Sequence, residues 1–533
     1  MFWGNYCPDC YRDIDMIRTA LVFILALAGS VIATPGMART DPIIRTEAGV
    51  LSGVSEAGIN VYRGLPFAKP PVGDLRWRDP QPVPSWAGVR SARAFAPACP
   101  QTGVSMPGEP PSPTDEDCLY LNVWTPVGAA AGSLPVIVWI PGGGLTNGST
   151  SIPLYDGAQL ARRGAVVVTL AYRLGALGFL AHPDLTAEAG GSGNYGLMDQ
   201  VAALEWVQNN ISAFGGDSRR VTVAGQSAGA TSVSILMASP RAQGLFQRAI
   251  GQSGGMFEPV ELAPRYLLAN AEIEGAAYAE SLGAPTLAQL RALPVERLLG
   301  DGAGRIVHPV IEPRLLPMSP YDAFQAGLQN DVPLLVGFNA DEARSLADVS
   351  SITATNFAAE LERTWGQLPP PLLAPYAFVT DDEARKARLD FERDLRFGWD
   401  VRAWARLQAA HGRNPVHFYY FSKTPPYPEG SVQQNWGASH FSELWYMFDH
   451  LGQQPWAWTV ADRATSEAMA DYWVSFARYG DPNGGGRTNW PPFTLGDEQV
   501  LKIGDGLVAG VLPNTTGLDV FDAVYSSIRQ PRP

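Results

Sequence analysis

This sequence has few charged residues. Only 17% of its 533 residues are Asp, Glu, Lys or Arg, and the balance is acidic, with a formal net charge of -13. An acidic protein is repelled by nucleic acid and by anionic membranes, which argues against binding to either through bulk charge. Because 46% of the residues are hydrophobic, disorder is excluded. Since no linker-like stretch or repeat divides the chain, we predict one large domain.

Long apolar runs are also missing. The run nearest to a membrane span, residues 20–33, is shorter than the roughly 20 residues that a transmembrane helix needs. It follows Arg18 and precedes Gly36 and Ala38, which is typical of a secretory signal peptide cleaved after Ala38 or, alternatively, Ala33. Met16 stands where such a signal would begin, so residues 1–15 are interpreted as a misassigned upstream start. We expect a secreted or periplasmic protein with its domain in residues 39–533 and no membrane span after cleavage.

Cysteine is scarce, with four residues in the whole chain. Cys7 and Cys10 form a C-x-x-C pair ahead of the predicted cleavage site, and without a second pair they do not indicate a metal site. Cys99 and Cys118 are an even pair in an exported chain, so we predict that they form a disulfide bond.

The most informative stretch that is present runs from Val223 to Ala230 and places Ser227 between Gly225 and Gly229. A β-branched segment precedes it, and residues 231–237 continue as an apolar helix. A G-x-S-x-G sequence between a strand and a helix is typical of a nucleophile elbow, a sharp turn that exposes a serine hydroxyl above a sheet. We expect the two glycines to tolerate strained backbone angles there.

Apolar strand-like runs alternate with helical segments along much of the chain. Such runs indicate strands buried on both faces, as in a mostly parallel sheet flanked by helices. We therefore predict an α/β fold, with a small antiparallel sheet in residues 43–63 and a helical cap inserted at about 255–330. The predicted strands are Val136–Ile140, Ala165–Leu170, Val221–Ala224, Val332–Phe338 and Val416–Phe421.

A serine nucleophile needs a base and an acid that orients the base. Of the six histidines, His440 follows a loop and precedes a helix, so it is the predicted base, whereas the other five are interpreted as structural or as helix ends. Glu342 follows the predicted strand that ends at Phe338, and carboxyl ends of parallel strands gather active sites. Its neighbour Asp341 is the alternative acid. The chain order serine, acid, histidine is that of α/β hydrolases.

Acyl transfer also needs hydrogen-bond donors for the oxyanion. Gly142, Gly143 and Gly144 follow the strand Val136–Ile140 and can bring bare backbone close to that oxygen. The amide of Ala228, directly after the serine, is predicted to join them.

These residues together resemble the type-B carboxylesterase family, which includes the cholinesterases, from residue 42 to about 500. The resemblance implies an α/β-hydrolase fold and a serine carboxylesterase that takes a small-molecule ester and uses no metal or organic cofactor. It assigns the triad to Ser227, Glu342 and His440, the oxyanion hole to Gly143, Gly144 and Ala228, and a disulfide to Cys99 with Cys118. Its other motifs are Arg63–Ala68, Glu116–Val123 and Gly193–Gln200.

Three departures from the family pattern bear on the substrate. Proline occupies position 141 and glutamine position 226, and the segment from Cys99 to Cys118 lacks tryptophan. The missing negative charge and aromatic face argue against a choline ester. A lipase, an esterase for bulky or polycarboxylate toxins such as fumonisins, and a non-catalytic adhesion module are the alternatives. Free carboxylates could be met by arginines of the cap region, namely Arg265, Arg305 and Arg314.

Overall fold

The computed structural model describes residues 41–102, 112–300 and 306–530. The predicted signal peptide and Arg305 lie outside the described residues. From Asp41 onward the chain forms one compact unit. Within the described ranges, no helix combines the length and the apolar character needed to cross a bilayer.

An eleven-stranded sheet dominates the described part of the chain, in the order β14-β13-β12-β11-β10-β9-β7-β8-β6-β4-β3. Neighbouring strands are parallel from β13 to β8 and antiparallel at both ends. The strands are β1 Ile43–Arg45, β2 Val50–Ser52, β3 Val54–Glu56, β4 Ile59–Pro66, β5 Val89–Ser91, β6 Tyr120–Pro126, β7 Leu134–Ile140, β8 Val166–Leu170, β9 Gly216–Gln226, β10 Arg248–Gln252, β11 Leu334–Asn339, β12 Val416–Phe421, β13 Gln499–Ile503 and β14 Leu507–Val511.

The central strands are parallel, and their sequences are apolar nearly throughout. Every residue of β8, β11 and β12 is buried, as expected for strands covered by helices on both faces. The predicted mostly parallel sheet is therefore confirmed.

Helices cover both faces of this sheet, and they separate the parallel strands along the chain. The longest is α14, whose N-terminus is closed by a capping box of Thr459 and Asp462. The helices are α1 Ala158–Arg162, α2 Gly175–Phe179, α3 Pro183–Ala189, α4 Tyr195–Asn210, α5 Ala228–Ala238, α6 Leu268–Ser281, α7 Leu287–Ala292, α8 Val295–Leu298, α9 Pro320–Gln325, α10 Phe357–Trp365, α11 Asp381–Arg393, α12 Trp399–His411, α13 Ser442–Met447, α14 Val460–Tyr479 and α15 Thr515–Arg529.

The small N-terminal sheet differs in detail from the predicted one. Strands β1 and β2 pair antiparallel as expected, but β5 joins β2 in parallel. Strands β3 and β4, which also fall in residues 43–66, belong to the large sheet instead. Alternation of polar and apolar residues shows that these strands are half-buried, but it does not show which sheet buries them. The described part of residues 255–330 includes helices α6 to α9, and its assignment as an inserted cap stays a prediction.

The structure contains the predicted bond between Cys99 and Cys118, which lie 19 residues apart. Replacing both cysteines with serine is expected to lower the free energy of unfolding by about 3 kcal/mol, because the unfolded chain regains the freedom that the closed loop removes. Denaturant titrations of the wild type and the double variant would measure the difference. Reductant should destabilise the wild type alone, and equal stability of the two proteins would contradict the prediction.

Candidate active site

The candidate residues follow the carboxyl ends of three strands of the parallel sheet. The glycine loop follows β7, Ser227 follows β9, and Glu342 follows β11. Because these strands run in the same direction, their carboxyl ends lie at one edge, where open α/β sheets bind ligands. His440 lies just ahead of α13 and is 1% exposed.

Ser227 lies in a sharp turn between β9 and α5, with φ 57° and ψ -128°. A positive φ is strained for a residue with a side chain, and the turn is held by the Ser227 amide, which donates to the Gln252 carbonyl at 2.8 Å. The strain therefore falls on the serine itself, as a nucleophile elbow requires.

The structure gives a different reason for the glycines at positions 225 and 229 from the one predicted. Neither Gly225 nor Gly229 has a positive φ. A Cβ atom at position 225 would lie 2.4 Å from the Gly229 carbonyl carbon, and one at position 229 would lie 2.2 Å from the Ile140 oxygen. They are glycines because strand, helix and the neighbouring strand β7 pack backbone against backbone at the elbow.

The glycine loop after β7 is fixed in a tight turn. Gly143 and Gly144 have φ values of 113° and 61°, and the Gly143 carbonyl accepts hydrogen bonds from the amides of Thr146 and Asn147. A Cβ atom on Gly143 would lie 2.2 Å from the Asn147 oxygen. The loop thus depends on glycine at position 143 for both its angle and its packing.

Three amide groups near Ser227 are available as donors. Within the described ranges, the amides of Gly143, Gly144 and Ala228 donate to no protein acceptor, and all three residues line the cavity that contains Ser227. The segment that the disulfide closes supports the glycine loop, because Gln101 and Gly148 exchange two hydrogen bonds, of 2.8 and 2.9 Å. This is the arrangement that an oxyanion hole needs.

The structure brings Glu342 and His440 together. Glu342 Oε2 lies 2.6 Å from His440 Nδ1, and both side chains are buried. The other carboxylate oxygen accepts a hydrogen bond of 2.7 Å from the Asn339 amide. A carboxylate on Nδ1 fixes the imidazole tautomer that leaves Nε2 free to accept a proton.

The alternative acid, Asp341, has another role in the structure. Its carboxylate accepts a hydrogen bond from the Ala438 amide and pairs with Arg344. It therefore holds the loop ahead of His440 and does not contact the imidazole.

Gln226 also holds the loop ahead of His440. Its position in the sequence did not predict this contact. Its Nε2 group donates to the His440 carbonyl at 2.6 Å. An ionised glutamate has no proton to donate, so the departure from the family pattern has a structural consequence besides the loss of charge. The sequence signal was a polar residue inside a buried elbow, but its partner is 214 residues away.

A second buried carboxyl group, Glu443, was not predicted as part of this site. It accepts hydrogen bonds from the side chains of Gln252 and Asn339. Burial, together with the nearby charge of Glu342, raises the pKa of Glu443 to about 8. Two buried carboxylates in one site cannot both ionise cheaply, so a neutral Glu443 leaves the negative charge on the carboxylate that contacts the imidazole.

Ser227 and His440 line the same cavity, whose volume is about 690 Å³. No hydrogen bond joins their side chains in the part of the chain that the structure describes. Catalytic hydrogen bonds are often long in enzymes without substrate and tighten in the complex. The volume is that of a typical small-molecule site.

The walls of the cavity carry aromatic and charged side chains. Burial, then the neighbouring Glu258, raises the pKa of Asp400 well above its usual range, so this wall is less negative than its residue types indicate. The aromatic residues are Tyr266, Trp365, Phe397, Phe441 and Tyr525, and the charged or titratable ones are Glu258, Arg265, His308, Arg396 and Asp400.

Two of the expectations about charged residues change. His308 was predicted to be structural, and in the structure it lines the cavity together with its neighbours Val307 and Pro309. Arg265 also lines the cavity, whereas Arg314 pairs with Asp79 and lies elsewhere. His182 caps α3, and His417 is buried in β12, as their sequence contexts predict.

Comparison with known proteins gives a consistent result. Residues 40–515 match the family model described as "Carboxylesterase family". The chain is 37% identical to the fumonisin B1 esterase of Sphingopyxis macrogoltabida, over 90% of this chain and 91% of that one. It is 36% identical to the para-nitrobenzyl esterase of Bacillus subtilis, over 85% and 93%. The solved structure of a thermophilic PNB esterase superimposes with a TM-score of 0.79, at 32% identity, over 90% of this chain and 100% of that one.

Proposed function

Because this chain belongs to the carboxylesterase family and is a carboxylic ester hydrolase with the α/β-hydrolase fold, we propose that it cleaves esters through Ser227, His440 and Glu342. The observation that carries the proposal is the contact of 2.6 Å between Glu342 and His440 in the wall of the cavity that exposes the strained Ser227. Ser227 is the nucleophile, His440 the base, and Glu342 the acid that orients the base.

The reaction proceeds in two halves. His440 Nε2 takes the proton of Ser227 as its oxygen attacks the ester carbonyl carbon, and the resulting oxyanion is bound by the amides of Gly143, Gly144 and Ala228. The imidazolium gives its proton to the departing alcohol, which leaves an acyl-enzyme. Water, deprotonated by the same imidazole, then attacks the acyl carbon. The bond from that carbon to the Ser227 oxygen breaks, the imidazolium returns its proton to this oxygen, and the carboxylic acid is released.

A fluorophosphonate ester tests this assignment, because it reacts with an activated serine and mimics the first half-reaction. We expect one phosphonyl group per chain, on the peptide that contains Ser227, and loss of ester hydrolysis in proportion to labelling. Labelling of another residue, or full activity of the labelled protein, would contradict the proposal.

Gly143 tests the proposed oxyanion hole. Replacing it with alanine places a Cβ atom 2.2 Å from the Asn147 oxygen at a φ of 113°, so the loop must shift and its amide must move. Loss of one oxyanion donor is expected to lower kcat by about 10² to 10³-fold with a smaller change in KM. Gly244→Ala is the control, since Gly244 also has a positive φ but lies outside the cavity with no atom near its Cβ position. Equal kcat values for the two variants would show that the glycine loop does not contribute to the oxyanion hole.

A bulky ester with free carboxylates is a second candidate substrate. It is supported by the similarity to a protein named fumonisin B1 esterase and by two arginines that line the cavity, Arg265 and Arg396. Arg396 also pairs with Glu392, so Arg265 is the first candidate to bind a carboxylate. Two esters of one alcohol, with a tricarboxylic acid and with an uncharged acid of similar size, would be compared. A higher kcat/KM for the tricarboxylate that declines with added salt supports this candidate, and a preference for the uncharged ester contradicts it.

We also propose that the protein is exported. The support is the signal-like pattern of residues 1–38 in the sequence, together with a disulfide bond of the kind that persists in oxidising compartments. Fractionation of the producing cells tests this, and a mature protein that begins near position 39 outside the cytoplasm is the expected result.

A further inference from the structure

The cavity wall next to His440 is built by a turn of unusual helix. Between α11 and α12 the chain makes one π-helical turn, Asp394–Gly398. Such turns occur mostly as single insertions in α-helices, and frequently at functional sites. Leu395, Arg396 and Phe397, in the middle of this turn, all line the catalytic cavity.

The π-turn is firmly held at its first residue. Arg393 donates two hydrogen bonds to the Asp394 carboxylate, of 2.8 and 3.0 Å, and the hydroxyl of Tyr376 donates another of 2.7 Å. Asp394 is 1% exposed. The turn is therefore a fixed part of the fold.

Phe397 lies flat against His440. The two ring centroids are 4.3 Å apart and the ring planes differ by 23°. Phe441 contacts the same imidazole edge-on, at 4.9 Å and 64°. Glu342 forms a hydrogen bond with Nδ1. The Phe397 face therefore restrains the tilt of the imidazole ring, and the hydrogen bond restrains its rotation.

We propose that Phe397 is a positioning residue for the reaction, whose face sets the plane of the His440 ring and stabilises the imidazolium that forms during catalysis. A cation over an aromatic face is attracted to the electron-rich ring, and imidazolium is the charged state that both half-reactions pass through. The inference rests on the proposed function, because it requires His440 to be the base.

The groups that titrate around His440 come from several elements. Glu342, which follows β11, lies on His440 Nδ1, and Glu443 lies in α13. Arg396 lies on the same π-turn as Phe397, and the cavity is further lined by Glu258, Arg265, His308 and Asp400. A change from Phe397 to another uncharged residue leaves all of them in the chain, so a shift in the pH profile would report on the removed ring.

The test is Phe397→Leu, which keeps an apolar side chain but removes the flat face. Without the ring, the protonated imidazole is less stable, so protonation needs a lower pH. We expect the acid limb of the kcat/KM profile to move to lower pH by about half a unit to one unit. We also expect kcat to fall about tenfold, because the base is less well aligned.

Two further variants separate positioning from wall-building. Phe397→Tyr keeps the aromatic face and should keep the wild-type acid limb. Leu395→Ala, on the same π-turn, should change KM and leave that limb in place. Thermal unfolding would show that all three variants are folded.

The outcomes that overturn the inference are distinct from those that overturn the proposed function. An unmoved acid limb in Phe397→Leu, or an equal shift in Phe397→Tyr, would show that the ring is only part of the wall. High activity of a His440→Ala variant would instead show that His440 is not the base, and it would contradict both proposals.

Discussion

Replacing Ser227 with alanine is expected to lower kcat for ester hydrolysis by about 10⁴ to 10⁶-fold, since no acyl-enzyme can form without the hydroxyl. The fold should be kept, because the elbow is held by backbone contacts: the Ser227 amide donates to Gln252, and the Ser227 carbonyl accepts from Thr231. Alanine also removes only one oxygen atom from the wall of an open cavity. Stopped-flow and steady-state hydrolysis of a chromogenic ester would measure the loss, including the burst of alcohol that precedes acyl-enzyme hydrolysis.

A matched control for this variant is Ser234→Ala, two turns along α5. Ser234 donates to the Thr231 carbonyl in the same helix and does not line the cavity. We expect near wild-type kcat from it. Substantial hydrolysis by the Ser227 variant, with the same pH profile as the wild type, would mean that another residue is the nucleophile.

The change from Glu342 to glutamine is expected to lower kcat by about 10⁴-fold with little change in KM, and the reason is the tautomer of His440. The Asn339 amide donates to Glu342 Oε1, so a glutamine would place its oxygen there and turn its NH₂ group toward His440 Nδ1. Nδ1 must then accept, which puts the imidazole proton on Nε2. An imidazole in that state cannot take the proton of Ser227.

Glu443→Gln is the control for losing a buried glutamate from this network. Glu443 and Glu342 are both 0% exposed, but Glu443 contacts Gln252 and Asn339 and does not contact the imidazole. Because the pKa of Glu443 is raised to about 8, glutamine replaces a group that is mostly neutral at pH 7. We expect kcat to fall far less in Glu443→Gln than in Glu342→Gln, and equal losses would show that the effect is structural.

The pH dependence of stability gives an independent check on this control. A carboxyl group whose pKa is raised on folding binds its proton more tightly in the folded state, so stability declines as the pH rises from about 4.5 toward 8. Glu443→Gln should remove that part of the decline. Thermal unfolding at several pH values would measure it.

Local sequence was sufficient for the parts of the site that depend on neighbours in the chain. A strand, a G-x-S-x-G turn and a helix follow each other within about twenty residues, so the elbow at Ser227 and the glycine loop after β7 could be located without a structure. Strand positions were predictable for the same reason, since buried parallel strands are continuously apolar. Their exact ends were not, and β9 extends to both sides of the predicted Val221–Ala224.

Tertiary structure decided everything that depends on contacts across the chain. Glu342 and Asp341 are adjacent carboxylates with the same local pattern, and only the packing of the loop at 437–440 shows that one contacts the imidazole and the other holds the loop. Likewise, Phe397, in the π-turn between α11 and α12, stacks on His440, which lies 43 residues later in the chain. A sequence encodes backbone conformation through near neighbours, whereas these contacts arise when distant elements bury their surfaces together, so their partners cannot be read from the residues alone.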